Sequence, residues 1–257
     1  MAAWQSVDLA ALWLTLQVAG CATALALVLG TGSGWMLSRW RVPGRRVIEA
    51  LLTLPMVLPP TVLGYYLIVA LGRNSAFGGW LESSFGVQLM FTWQGAVVAA
   101  ALVAFPLVFT SARAAFDGVE RNLENAARVL GAGELAVFLR ITLPLALRGI
   151  AAGTMLAFAR AMGEFGATLM VAGNIPGKTQ TLSMAIYDAV QSGNDALANL
   201  LVVIVSLVCI TLLVTAARLL ELGARPLPGP PEVYQARNVA EFARLGDLIR
   251  RVGIRAE

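Results

Sequence analysis

The chain has 257 residues, of which 58% are hydrophobic and only 13% charged, with a formal net charge of +4 and no histidine. A water-soluble domain carries about a quarter charged residues, so the composition excludes an ordinary soluble globule. The lack of histidine excludes His-dependent acid–base chemistry, His-ligated zinc and a Ser-His-Asp arrangement.

Four apolar runs hold no charged residue: 9–38, 50–72, 83–112 and 196–217. Each supplies the roughly 20 residues that a spanning helix needs. A fifth stretch, from 149 to about 173, is broken only by Arg160 and Glu164. The expectation is an all-α polytopic membrane protein of about five transmembrane helices. The first run follows Asp8 with no basic residue before it, so it reads as a retained span and not as a secretory signal. Cys21 and Cys209 lie inside apolar runs, where a lone cysteine is usually a small core residue; two so far apart form neither a disulfide framework nor a metal spacing.

Five spans put the two termini on opposite sides. Under that count 16 Arg residues, all those of 39–49, 113–148 and the tail from 218, share one side, against Arg73 and Lys178 on the other. Lys and Arg collect in cytoplasmic loops. The expected topology therefore has the N-terminus outside and the C-terminus cytoplasmic. The basic balance then reflects topology and gives no reason to expect nucleic-acid binding.

Within the spans, Gly20, Gly30, Gly32 and Gly34 sit in the first, and Gly149, Gly153, Gly163 and Gly166 in or near the fourth. Small residues let helices approach closely in lipid. Pro55, Pro59 and Pro60 interrupt the second span, since proline removes a backbone hydrogen bond and kinks a helix. Broken helices often line transport pathways; packing kinks are the other reading.

The segment 113–148 is too polar to span. Asp117 with Arg121, and Glu124 with Arg128, stand at i,i+4 with the acid first. Leu123, Ala126, Ala127 and Leu130 recur at helical spacing. These predict a short amphipathic helix, broken at Gly131 and Gly133. A second helix is expected over 134–140, with Pro144 marking entry to the fourth span. Such a helical pair suits a docking surface for a partner, or a helix lying on the bilayer.

The run Glu124-Asn125-Ala126-Ala127, then Gly131, then Ile141-Thr142-Leu143-Pro144, closely resembles the EAA signature of ABC-importer permeases. The acid stands one place earlier than in the strict form, with Asn125 inserted. The resemblance implies that this loop forms coupling helices seated in a cleft of an ATPase subunit, with Glu124, Ala126, Ala127 and Gly131 in the docking turn. Further segments, among them LPMVLPPTVLGYYL (54–67) and ARAMGEFGATLMVAGNIPGKTQTLSMAIY (159–187), resemble the molybdate branch of that family in order from about residue 5 to 220. Sulfate or thiosulfate permeases and tungstate permeases are the neighbouring alternatives. The resemblance implies a homodimer, two cytoplasmic ATPase subunits, a periplasmic molybdate-binding protein and a place in the inner membrane. It also implies no catalytic residue, metal or cofactor of the chain's own, ATP being bound by the partner. A secondary transporter or a membrane scaffold without ATPase remains the lower alternative, and no internal repeat favours the former.

Arg160 and Glu164 lie one helical turn apart at mid-span. Charges there are costly and by default suggest function. They are read either as a neutralised pair that locks the helix or as a pathway element, with Arg160 attracting a dianion and Glu164 preventing tight trapping. The segment Gly173-Asn-Ile-Pro-Gly177-Lys178-Thr179 looks like a phosphate loop, but its glycines are one residue too close and it follows a span, not a strand. It reads as a periplasmic loop that contacts the binding protein. The permease domain is expected over 1–224, with the coupling loop at about 113–148, and a cytoplasmic tail over 225–257. That tail opens with a stiff PLPGPPE linker and carries an amphipathic pattern over 239–252.

Overall fold

The computed structural model describes residues 9–40 and 43–223, with the backbone alone given for Leu9 and 219–223. The expected tail, with its linker and amphipathic pattern, lies outside the described residues, as does the extreme N-terminus. Among the described residues every regular element is helical. In order these are α1 (Leu9–Arg39), α2 (Arg45–Val57), α3 (Pro60–Leu71), α4 (Ala76–Phe85), α5 (Trp93–Asp117), α6 (Arg121–Val129), α7 (Glu134–Val137), α8 (Leu143–Met162), α9 (Gly166–Ala172), α10 (Leu182–Gln191) and α11 (Asp195–Gly223). A π-helical turn, Phe138–Thr142, joins α7 to α8 without a break.

Four apolar stretches are long enough to cross a bilayer: Ala10–Arg39, Trp93–Asp117, Glu134–Met162 and Asp195–Arg218. A fifth crossing exists only if α2 and α3 together count as one span, and their axes differ by 111°. The sequence predicts a kinked second span; the structure has two helices separated by a sharp turn. The cause is local. Leu58 and Pro59 each precede a proline, which disfavours the helical region. Both are extended, with ψ of 140° and 138°. Pro60 then opens α3 at a position where its missing N–H costs nothing.

Two more boundaries differ from expectation. The connection between the second and third runs holds a short helix, α4, capped by Ser75, and the third span begins only at Trp93, where Thr92 accepts from the Gly95 N–H. The helical stretch that carries the fourth span starts at Glu134, well before residue 149, because the π turn carries the loop helix directly into α8.

The small residues do what close packing in lipid requires. Helix α5 is the hub, packed chiefly on α1 and α8. A Cβ on Gly30 would stand 3.0 Å from Val108 and Phe109, and one on Gly34 3.0 Å from the Arg113 nitrogen. Gly149 faces Ala115 in the same way, and Gly153 lies directly against Ser111. Gly166 packs on Pro60, and Gly64 on Met170, which brings α9 against α3. Gly20 and Gly32 face open space, and Gly163 meets only carbonyls of its own helix. The buried centre is accordingly alanine-rich: Ala19, Ala22, Ala26, Ala96, Ala100, Ala104 and Ala157 form one cluster with Val108. Neither cysteine joins it. Cys21 is exposed and Cys209 half-buried on the outer, apolar faces of α1 and α11, so the expectation of core cysteines does not hold within this chain.

Candidate functional site

One end of the bundle collects the arginines. Here α1 ends, α2 begins, α5 ends and α6 to α8 turn back. Arg113 pairs with Glu49 at 2.6 Å, and Arg45 with Glu49 at 2.7 Å. Asp117 accepts from the Ser38 hydroxyl at 2.6 Å and lies 3.7 and 3.6 Å from Arg45 and Arg113. This corrects the predicted Asp117–Arg121 pair: Asp117 belongs to the last turn of α5, and Gly118–Glu120 change the chain direction before α6 starts. No side chain of α2 is fully buried, and these ion pairs help to hold α2 on the bundle at this end.

The amphipathic helix is present as α6, and Gly131 ends it. Gly131 has φ of 84° and its N–H donates to the Arg128 carbonyl, while the Ala132 N–H donates to that of Ala127. These two bonds make a Schellman stop that favours glycine. The expected second helix over 134–140 is one turn, α7, followed by the π turn.

The burial pattern of α6 departs from the expected docking turn at Glu124. Its apolar stripe is only partly covered by this chain: Ala126 is exposed, and Leu123, Ala127 and Leu130 are half-buried. The one buried residue is its acid, Glu124, at 3% exposure. Glu124 Oε1 accepts from Arg39 Nη2 of α1 and from Thr142 Oγ1 of the π turn, each at 2.6 Å. The predicted partner Arg128 is 4.0 Å from Oε2 and is held elsewhere. Its guanidinium forks onto Glu134 at 2.6 and 3.0 Å and donates to Asn125 at 2.9 Å. That hydrogen-bonded fork, above all, pushes the Arg128 pKa up from its usual range. Beneath α7, Phe138 meets the edge of Trp35 at 5.1 Å between ring centres and packs with Phe116, and Leu143 joins this cluster. Ile141 is half-buried and Pro144 exposed in the first turn of α8.

The loop thus stands on a fixed base and presents Asn125, Ala126, Val129, Gly131 and Leu135 outward, with Val129 84% and Leu135 72% exposed. A cleft of 800 Å³ opens beside it, lined by Trp35, Trp40, Arg39, Arg121 and Arg128 among others. Nothing in the sequence pattern flagged Arg39 or Thr142 as partners of Glu124. Thr142 does sit between Ile141 and Leu143 of the signature, and its type, a hydroxyl inside an apolar run, was the available signal.

Arg160 and Glu164 are also brought together, with Arg160 Nη1 2.9 Å from Glu164 Oε2. They do not share one continuous helix. Arg160 is in the last turn of α8, and Glu164 lies in the break that Gly163 opens before α9. Glu164 is 3% exposed and its Oε1 accepts from the Ala167 N–H at 2.9 Å, so it caps α9 as well. The Arg160 side chain remains 38% exposed. Pro59 and Pro60 sit beside this break, since Gly166 packs on Pro60, while Pro55 lies within α2.

At the opposite end, the segment 173–181 folds on itself. The N–H groups of Lys178, Thr179 and Gln180 all point to the Ile175 carbonyl, so they make no cradle for a phosphate. Asp188 of α10 accepts from Asn174 at 2.8 Å and from Gln180 at 2.6 Å. The Leu182 N–H donates to Thr15 of α1 at 2.8 Å. The predicted loop is therefore a clamped turn plus a short helix. Among the described residues no cluster of Asp, Glu or Cys could hold a metal ion.

The sequence from 25 to 225 matches the model of the family described as binding-protein-dependent transport system inner membrane component. The molybdenum transport system permease protein ModB of Escherichia coli K12 is 44% identical over 214 residues, covering 82% of this chain and 91% of that protein. The sulfate transport system permease protein CysT of the same organism is 36% identical over 182 residues, or 71% of this chain and 65% of that one. Among solved structures, a chain of the inward-facing MetNI methionine ABC transporter superposes with a TM-score of 0.65 at 18% identity, covering 88% of this chain and all of that one. At that identity the likeness concerns the fold.

Proposed function

The chain belongs to the family of inner-membrane components of binding-protein-dependent transport systems, and from that premise we propose that it is the permease subunit of an ATP-driven importer that carries molybdate into the cell. The observation that carries the substrate is the 44% identity to a molybdenum transport permease along nearly the whole of that protein. Sulfate is the second reading, on the 36% identity to a sulfate permease over a shorter stretch. Tungstate, chemically close to molybdate, travels by the same route in this reading.

Two copies of the chain enclose one pathway. Two cytoplasmic ATPase subunits dock at the arginine-rich end, and a periplasmic molybdate-binding protein docks at the end that carries the clamped 173–181 segment. The Arg and Lys asymmetry supports that orientation, with the N-terminus outside. The protruding α6–α7 turn supports the docking role: it is an uncovered helical surface on a base held by apolar packing and ion pairs. The chain itself hydrolyses nothing; ATP is bound and consumed by the partner. Closure of the ATPases moves the docked turn, and the spans fixed to that base follow.

Arg160 is the pathway residue in this reading. Its guanidinium is half-exposed beside the helix break, where it attracts a tetrahedral dianion. The buried Glu164 offsets part of that attraction, so the anion binds weakly enough to leave. The bent α2–α3 pair with Pro55, Pro59 and Pro60 flanks the same region.

The deciding experiment is ATP hydrolysis by the chain reconstituted with its ATPase and binding protein while molybdate, then sulfate, is titrated through the binding protein. Stimulation by molybdate alone is expected. Stimulation by sulfate keeps the importer and discards molybdate. No complex with any ATPase discards the importer, and a secondary transporter or scaffold takes its place.

A further inference from the structure

We propose that Glu124 is a positioning residue that ties the coupling turn to two spans from inside the chain, and that it makes no contact with the ATPase. The inference rests on the functional reading above and assigns a division of labour within the same loop. In the EAA pattern the acid directly precedes the two alanines. Here Asn125 holds that place and Glu124 stands one residue earlier. On a helix of 3.6 residues per turn, adjacent side chains diverge by about 100°. Asn125 therefore faces outward with Ala126 and Val129, all exposed, while Glu124 faces inward.

Two elements reach the one carboxylate that α6 carries. Arg39 is the last residue of α1, with only 14% of its side chain exposed. Thr142 is buried in the turn whose π geometry leads into α8. Both bonds are 2.6 Å. A buried acid so held cannot lose one partner cheaply, because the charge left behind has no water to solvate it. Nor can α6 shift alone: it must carry the ends of α1 and α8 or break the bonds. The link runs further. Ser38, beside Arg39, donates to Asp117 of α5, and Arg113 of α5 holds Glu49 of α2. A push on the exposed face of α6 thus reaches α1, α8, α5 and α2 through hydrogen bonds and ion pairs at one end of the bundle.

The test separates capture from coupling in the full complex in proteoliposomes, with molybdate-loaded binding protein as the stimulus. Glu124→Gln is expected to capture the ATPase as the parent does, while stimulation of ATP hydrolysis falls about tenfold or more, a typical coupling free energy. Arg39→Gln should do the same, and the double variant should be no worse than either single one, as for residues of one interacting pair. Thr142→Val leaves no charge unpaired and covers the case in which Glu124→Gln fails to fold: a severalfold loss of stimulation with unchanged capture is expected. Unchanged stimulation in Glu124→Gln and Thr142→Val, or loss of ATPase capture by a folded Glu124→Gln chain, would overturn the proposal. A parent chain that captures no ATPase would instead overturn the functional reading beneath it.

Discussion

Glycine and charge act here through what lies within a few ångströms. Gly153 lies against the Ser111 side chain and Gly20 faces nothing within 4 Å, so the same residue type has two different weights. Gly153→Val should cost about 1–3 kcal/mol by overpacking the α5–α8 contact, read as a lowered thermal midpoint of the solubilised chain. Gly20→Ala should leave the midpoint unchanged or slightly raised, because alanine favours the helix; equal losses at both sites would refute the packing account. Arg160→Gln removes the half-exposed charge and strands the buried Glu164 carboxylate. Uptake is expected to drop by about tenfold or more, as for loss of a charge-assisted contact. Uptake and ATP coupling at parental levels would leave Arg160 and Glu164 as a lock on the α8–α9 break alone.

The elements differ in how far their own sequences explain them. Helices α1, α5 and α11 follow from uninterrupted apolar runs, and α6 from its charge spacing and Gly131. The sharp turn between α2 and α3 required two consecutive residues each forced out of the helix by the proline after it; a pattern of prolines announces a break but not an angle of 111°. In α6 the departure is Glu124, expected in the docking turn and found buried. Helical periodicity places Leu123, Ala126, Ala127 and Leu130 together, yet burial is decided by neighbours, and the neighbours of α6 are Arg39 and Thr142. The outward face predicts its own test. Val129 is 84% exposed, so Val129→Asp should leave the isolated chain about as stable as before while weakening ATPase capture roughly 30-fold, the scale of an interface hot spot of about 2 kcal/mol. Unchanged affinity would remove Val129 from the docking surface.

Orientation in the bilayer belongs to the whole molecule. A chain freed of Cys21 and Cys209, carrying Val129→Cys and expressed without its ATPase, should resist a membrane-impermeant thiol reagent in intact cells and react in inside-out vesicles; labelling from outside would reverse the topology and with it the ATPase side. The sequence by itself determined the class of molecule: apolar run lengths set by bilayer thickness require helices, and the spacing from Glu124 to Pro144 marked the loop by which the family is recognised; the one-sided arginines gave the orientation that the thiol labelling tests. The small residues announced close helix contact as well. Only the tertiary structure decided which glycines lie in contacts, that Glu164 sits in a break and caps α9, that α2 and α3 turn through 111°, and that Glu124 faces inward to Arg39 and Thr142. The physical reason is range. Run length, charge count and helical period are properties of neighbouring residues and survive in one dimension. An ion pair between residues 39 and 124, or a glycine against a serine 42 positions away, exists only once the helices have packed.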